Sequence, residues 1–141
     1  MSHHAYQLYA HVTWHTWERV GCVDAQTAQD VVIALECASR RTPVKVLRCA
    51  VLSDHVHVLV TYRPDGRVSD FVRLAKSISS YRANKRIPGA LKWARGFYVA
   101  SYHKKDLPKI AGYIAGQHAR HPERVPRPAR PSFLTPGDSP G

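Results

Sequence analysis

The stretch VKVLRCAVLSDHVHVLVTY, residues 44–62, contains two runs of apolar and β-branched residues separated only by Ser53 and Asp54. Runs of this composition predict β-strands, here Val44 to Leu52 and His55 to Tyr62. A break of two residues is short enough for a hairpin turn. We therefore expect the two strands to be antiparallel neighbours that form a central hairpin.

The segment before the hairpin predicts one strand and one helix. Residues 6–17, YQLYAHVTWHTW, are rich in aromatic and β-branched types, which favour a strand with one buried face. From Ala25 to Arg40, apolar residues recur at spacings of three and four, which predicts an amphipathic helix. Asp24 can cap that helix, and Pro43 ends the element.

The segment after the hairpin predicts a second helix, a fourth strand and a third helix. Residues 63–66 form a strong turn signal, and Ser69 or Asp70 can cap the second helix. The apolar stripe of this helix consists of Phe71, Leu74, Ala75, Ile78 and Tyr81. Residues 97–102, FYVASY, predict the strand, and Leu107 to Arg120 predict the last helix.

The resulting order, β-α-β-β-α-β-α, is typical of the split βαβ, ferredoxin-like plan. We predict an α+β domain over residues 1–121, with an antiparallel sheet and the helices packed on one face. Six of the ten prolines follow His121, so we expect residues 122–141 to form an extended or disordered tail. Its Arg124, Arg127 and Arg130 could contact nucleic acid or could simply be solvated.

The charge of the chain bears on its partner. Lys and Arg number 21 against 10 Asp and Glu, which gives a formal net charge of +11 and a sequence pI near 10.0. Because binding to phosphates releases counterions, this balance favours a polyanionic partner, although a basic protein without such a partner is an alternative. Cys22, Cys37 and Cys49 are too far apart for a paired zinc or redox motif. No apolar run approaches the ~20 residues that span a bilayer, so we expect a cytoplasmic protein that does not enter a membrane.

His55 and His57 lie in the second strand of the predicted hairpin. Side chains on a strand alternate between faces, so both imidazoles emerge on one side and Val56 on the other. Backbone geometry alone can therefore preset two metal ligands. A His-x-His pair is a weak signal by itself, since two ordinary strand histidines would give the same pattern.

Tyr113 and Gln117 are four residues apart on the last predicted helix, and so lie on one helical face. If that face meets the strand of His55 and His57, two imidazoles and a carboxamide form a metal site beside a tyrosine. The alternative is that Tyr113 packs in the core and Gln117 is an ordinary surface residue.

Several stretches together resemble the single-tyrosine HUH transposases of bacterial insertion sequences (the TnpA-like enzymes) and the related REP-associated tyrosine transposases. The stretches are HVTWHTW (11–17), VLSDHVHVLV (51–60), LAKSISSYRANKR (74–86), LKWARGFYVASY (91–102) and YIAGQ (113–117). The resemblance spans roughly residues 6–121. REP-associated members tend to have Y-I-x-x-N-P, so Gln117 favours the insertion-sequence branch, whereas Ser53 replaces a proline that is frequent before D-H-V-H.

The resemblance implies that His55, His57 and Gln117 bind a divalent metal and that Tyr113 is the nucleophile. Oxygen and imidazole ligands suit Mg²⁺ or Mn²⁺. A free tyrosine phenol has a pKa of about 10, so its attack on a phosphodiester needs assistance. The product would be a 5′-phosphotyrosine that keeps the energy of the cleaved bond, so rejoining needs no nucleotide cofactor.

The resemblance also implies a partner, single-stranded DNA with a hairpin, and a homodimer. The basic residues that could contact DNA are Arg73, Lys76, Arg82, Lys85, Arg86, Lys92, Arg95, His103, Lys104 and Lys105. For each of them a solvated surface position is the alternative. Two other functions remain open, a domesticated nickase specific for repeats and a ferredoxin-like module that binds nucleic acid without cutting it.

Overall fold

The computed structural model describes residues 8–128 of the chain. Its strands are β1 (Leu8–His15), β2 (Val44–Val51), β3 (His55–Tyr62) and β4 (Tyr98–Tyr102), and its helices are α1 (Ala25–Arg41), α2 (Val68–Arg86), α3 (Leu107–Ala115) and α4 (Gln117–Arg120). The strands form an antiparallel sheet in the order β2-β3-β1-β4. The predicted α+β, ferredoxin-like fold is therefore confirmed. Tyr6 and Gln7 of the predicted first strand lie outside the described residues.

The two long helices pack on one face of the sheet. Trp14 of β1 and Val58 of β3 share the main hydrophobic core with Leu35 of α1 and Phe71 of α2. Each of these side chains is almost fully buried. Burial of large apolar side chains is the main force that holds a domain of this size together.

The two long helices begin differently. Asp24 caps α1, as predicted, by accepting a hydrogen bond from the backbone N–H of Thr27 at 2.8 Å. Helix α2 begins at Val68 without a side-chain cap, so Ser69 and Asp70 lie inside its first turn instead of capping it. The Asp70 carboxylate still stabilises this end, because it lies near the positive pole of the helix dipole. Within residues 8–128 no helix combines the length and apolar character that a membrane span requires.

Helix α3 lies on the other face of the sheet, which corrects the prediction that the helices pack on one face. Its Ile110 and Ile114 pack with Leu59 of β3 and Ala50 of β2 in a second hydrophobic cluster. Neighbouring side chains on a strand point to opposite faces, so Leu59 and Val58 lie on opposite faces of the sheet. Helical periodicity showed which side of α3 is apolar, but not which face of the sheet that side covers.

The last predicted helix is interrupted at Gly116. Helix α3 ends at Ala115, Gly116 adopts φ −87° and ψ 1°, and α4 begins at Gln117. Glycine has a low helix propensity, so a departure from helical geometry costs little there. Tyr113 and Gln117 therefore belong to two consecutive helices.

The segment just after α4 belongs to the domain, in contrast to the expected tail. Residues 122–124 form a 3-10 turn. The backbone carbonyl of Arg124 accepts a hydrogen bond from the Ser53 N–H at 2.7 Å, and the carbonyl of Arg127 accepts one from the Ala25 N–H at 2.7 Å. Backbone hydrogen bonds, which composition does not reveal, therefore attach this segment to the β2–β3 turn and to the start of α1. The remainder of the predicted tail, with Arg130, lies outside the described residues.

Asp30 of α1 is a buried carboxylate that joins the two long helices. Its oxygens accept hydrogen bonds from Arg86 Nη1 at 2.5 Å and Arg82 Nε at 3.3 Å. The Asp30 side chain is 6% exposed, whereas the two arginines are 32% and 43% exposed. The ion pairs are thus partly screened by water on the arginine side.

We expect Asp30→Ala to lower the free energy of unfolding by about 1–3 kcal/mol, because it removes the partner of two arginines at the α1–α2 contact. Urea denaturation followed by circular dichroism measures the change. The matched control is Asp70→Ala, which breaks an exposed pair with Arg73 and should cost at most about 1 kcal/mol. Equal losses in both variants would contradict this role for Asp30.

Candidate active site

His55 and His57 lie on the face of the sheet that α3 covers. Their Nε2 atoms are 3.1 Å apart. The Nδ1 atom of His55 is 2.7 Å from Oδ1 of Asp54, whose carboxylate can only accept a hydrogen bond when it is ionised. This contact places the proton of a neutral His55 on Nδ1 and leaves the Nε2 lone pair free.

His11 of β1 is a partner of this pair that the sequence interpretation missed. Its Nε2 is 2.9 Å from Nδ1 of His57, and the two rings stack with centroids 5.1 Å apart. If His57 donates its Nδ1 proton to His11, its Nε2 points toward His55 with a free lone pair. The contact joins residues 46 positions apart in sequence. It exists only because β1 pairs with β3, so no local pattern indicates it.

The surroundings of His57 keep its imidazole neutral. Burial is the main cause that lowers the pKa of His57 to about 4, and the neighbouring His55, His11 and His121 lower it further. A hydrogen bond with the Gln117 side chain acts in the opposite direction. Burial also lowers the pKa of His11. At neutral pH the imidazoles of His57 and His11 are therefore uncharged, and the uncharged imidazole is the form that binds metal ions.

Tyr113 and Gln117 both reach this face of the sheet. The Tyr113 ring centroid is 5.8 Å from that of His57 and 6.0 Å from that of His11, in edge-on contact. Gln117 is only 1% exposed, whereas Tyr113 is 39% exposed. The alternative in which Tyr113 is a core residue and Gln117 a surface residue is therefore wrong, because Gln117 is the buried residue and Tyr113 the exposed one. The Gln117 Nε2 donates to the backbone carbonyl of Tyr113 at 3.2 Å, so its Oε1 is the atom that can accept a hydrogen bond from His57.

Arg120 of α4 lies over the Tyr113 ring, with its guanidinium carbon 4.9 Å from the ring centroid. This contact places a permanent positive charge beside the exposed phenol. The sequence interpretation did not select Arg120. The sequence offers one indication of this contact. Arg120 follows Tyr113 by seven residues, about two helical turns, which places both residues on the same side of a helix.

Within residues 8–128, no group of three or more His, Cys, Asp and Glu side chains is arranged to hold a metal ion. A site made of these residue types alone is therefore absent from this part of the chain. His55, His57 and Gln117 offer a different set of possible metal ligands. It consists of two imidazoles whose Nε2 atoms converge and one buried carboxamide.

Half of the basic residues predicted to contact DNA lie away from this site. Helix α2, which carries half of them, packs on the opposite face of the sheet. Arg82 and Arg86 pair with Asp30, and Lys76 donates to two backbone carbonyls of the segment before β4. The exposed members outside α2 are Lys92, Arg95, His103, Lys104 and Lys105. For all of these residues a contact with DNA stays a prediction.

Known proteins share this arrangement of strands and helices. A crystal structure of a transposase from Deinococcus radiodurans R1 aligns with 84% of this chain and 96% of its own, with a TM-score of 0.64 and 23% identity. The structure of a REP-associated tyrosine transposase bound to a REP hairpin aligns with 86% of this chain and 72% of its own, with a TM-score of 0.69 and 18% identity. At these identities the likeness shows a common fold.

Sequence comparison extends the likeness to a family. The ISDra2 transposase TnpA of Deinococcus radiodurans is 24% identical over 122 residues, which are 82% of this chain and 87% of that protein. The profile of the family described as "Transposase IS200 like" matches residues 4–117. That match runs from before β1 through the histidine pair to Gln117, and because it covers most of the chain, this protein belongs to the IS200-like transposase family.

Proposed function

We propose that this transposase is a single-tyrosine HUH enzyme that cleaves and rejoins single-stranded DNA at hairpin-bearing ends. The observation that carries the proposal is the position of Tyr113, whose ring lies within 6.0 Å of the rings of His11 and His57. The buried His57 and the partly buried His55, together with a buried glutamine and an exposed phenol, are the groups that such a reaction needs.

The proposed metal ligands are Nε2 of His55, Nε2 of His57 and Oε1 of Gln117. The Nδ1 atoms of both imidazoles are occupied by Asp54 and His11, so the Nε2 atoms are the ones available. A bound Mg²⁺ or Mn²⁺ would polarise the scissile phosphate and offset the negative charge on its oxygens. Asp54 and His11 then act as positioning residues that orient the ligands.

Tyr113 is the proposed nucleophile. Its Oη attacks phosphorus, the bond from phosphorus to the 3′-oxygen breaks, and the phenol proton ends on the departing 3′-hydroxyl. The products are a 5′-phosphotyrosine and a free 3′-hydroxyl. In the second step the 3′-hydroxyl of another strand attacks the phosphotyrosine and releases Tyr113, so joining needs no ATP. Arg120 supports the first step, because its charge lies beside the phenol and near the phosphate that approaches it.

Membership of the family supports a proposal for the substrate and the assembly. The REP-associated transposase with this fold was solved with a hairpin, and we propose hairpin-bearing single strands as the substrate here. We also propose a homodimer. His55, His57, Tyr113 and Gln117 come together within one chain, so an exchange of α3 between subunits is not needed to complete the site.

The test is the formation of a covalent protein–DNA adduct. We expect a labelled hairpin oligonucleotide with single-stranded flanks to form an adduct that survives denaturing electrophoresis, in Mn²⁺ or Mg²⁺ but not in EDTA. A fully duplex oligonucleotide should give none. Addition of a second strand with a free 3′-hydroxyl should convert the adduct into a joined product. Binding without any adduct would show that the chain is a non-catalytic module, and adduct formation without joining would indicate a nickase.

A further inference from the structure

A cationic cavity adjoins the histidine pair. It has a volume of about 220 Å³, and His55 and His57 form one of its sides. Arg19 and Arg124 line it as well, and Tyr98 contributes a largely exposed aromatic ring. None of its lining residues is an Asp or Glu. The cavity therefore favours an anion next to the place where the proposed chemistry occurs.

The backbone that carries Arg19 is held in an unusual conformation. Glu18 and Arg19 have φ values of 53° and 54°, in the left-handed region that residues with side chains rarely adopt. Hydrogen bonds at Thr16 maintain this turn. Its Oγ1 donates to the carbonyl of Val20 at 2.7 Å, and its backbone N–H donates to the carbonyl of Asp54 at 2.8 Å. Strained backbone that is over-determined in this way is concentrated at functional sites.

Arg124 reaches the same cavity from the other end of the domain. Its carbonyl accepts the backbone N–H of Ser53 at 2.7 Å. Arg124 is thus bonded directly to Ser53, whereas the turn that carries Arg19 is connected to Asp54 through Thr16. Oε1 of Glu123 is 4.0 Å from Nε of Arg124, which is the outer limit of an ion pair. The Arg124 guanidinium therefore keeps N–H donors for another anion. Within residues 8–128, Arg19 has no ion pair.

We propose that this cavity binds the phosphodiester adjacent to the one that Tyr113 attacks. The inference rests on the proposed function, because it places the substrate strand across the same histidines. Guanidinium groups bind phosphate oxygens in paired hydrogen bonds, which fixes both the position and the orientation of a phosphate. The exposed ring of Tyr98 offers a surface on which the attached base can stack. Arg19 and Arg124 thereby set the register of the strand.

The test uses Arg19→Gln, Arg124→Gln and the double variant, with Arg40→Gln as the control. Arg40 is an exposed arginine of α1, which packs on the opposite face of the sheet. We expect each single variant to bind the single-stranded substrate about tenfold more weakly and the double variant about a hundredfold. Because the two arginines neutralise one phosphodiester, the double variant should reduce the slope of log affinity against log salt by about 0.7 in total. The affinity for Mn²⁺ alone should not change, because neither arginine is a proposed metal ligand.

A second measurement changes the DNA instead of the protein. Once the cleaved bond is mapped, a neutral methylphosphonate replaces the adjacent phosphodiester in the oligonucleotide. We expect the unaltered protein to lose about a hundredfold in affinity, as the double variant does, and the double variant to lose almost nothing further, because its cationic partners are already absent. If the unaltered protein forms adducts, but the Arg19 and Arg124 variants bind DNA like Arg40→Gln and the methylphosphonate costs the double variant as much as the unaltered protein, the inference fails while the proposed function stands. If it forms no adduct with any hairpin DNA, the proposed function fails first.

Discussion

Tyr113→Phe is expected to abolish the covalent adduct and to slow cleavage of single-stranded hairpin DNA by about 10³-fold or more. The substitution removes only the oxygen that would form the bond to phosphorus, and loss of a nucleophile removes the covalent pathway altogether. The ring stays in contact with His11 and His57, so the metal affinity and the fold should be retained. Denaturing electrophoresis of labelled DNA measures the adduct, and Mn²⁺ titration measures the metal affinity.

Tyr98→Phe is the matched control for this prediction. Tyr98 lines the cavity beside His55 and His57 and is exposed, which makes it the rival nucleophile. It belongs to β4, and Arg120 lies over Tyr113 instead. We expect Tyr98→Phe to form the adduct at nearly the normal rate. An adduct that persists in Tyr113→Phe and disappears in Tyr98→Phe would show that Tyr98 of β4 is the nucleophile.

His57→Ala is expected to weaken Mn²⁺ binding by roughly a hundredfold or more, with a parallel loss of cleavage. Substitution of groups that only orient a metal ligand typically costs about 10- to 100-fold in affinity, so loss of a ligand itself should reach at least the upper end. Gln117→Leu, which keeps the buried volume but removes the donor oxygen, should act in the same direction. Isothermal titration with Mn²⁺ measures both, and circular dichroism verifies the fold.

His11 and His15 separate a positioning effect from a general effect of strand histidines. Both lie on β1, but His11 contacts Nδ1 of His57, whereas His15 Nδ1 contacts the backbone carbonyl of Thr16. We expect His11→Ala to lower the Mn²⁺ affinity about 10- to 100-fold and His15→Ala to leave it unchanged. Normal Mn²⁺ affinity in both His57→Ala and Gln117→Leu would rule out the proposed metal site.

Local sequence patterns were sufficient to predict the four strands and the two long helices, but not the break between α3 and α4. The alternation in residues 55–62 predicts a strand whose histidines share a face, and the apolar spacing in residues 25–40 predicts α1. Both signals arise from the geometry of a single element, with side-chain periods of 2.0 and 3.6 residues. The order of the elements then allows few topologies, so the antiparallel ferredoxin-like sheet could be predicted as well.

The candidate site could be predicted only in part. His55, His57, Tyr113 and Gln117 belong to short motifs, and these motifs can be read without a structure. His11 was missed because its contact depends on the register of β1 against β3. Arg19 was missed because its direction depends on a left-handed turn that hydrogen bonds from distant residues maintain.

The sequence by itself determined the strands and helices, their order, the shared face of the two histidines and the strongly basic character of the chain. Only the tertiary structure decided that α3 covers the face of the sheet with the two histidines, and that Asp30 forms ion pairs with Arg82 and Arg86. It also decided that Arg19 and Arg124 line the same cavity. The physical reason is that periodicity and composition are properties of neighbouring residues. Strand register, ion pairs and cavities arise when segments far apart in the chain are packed together.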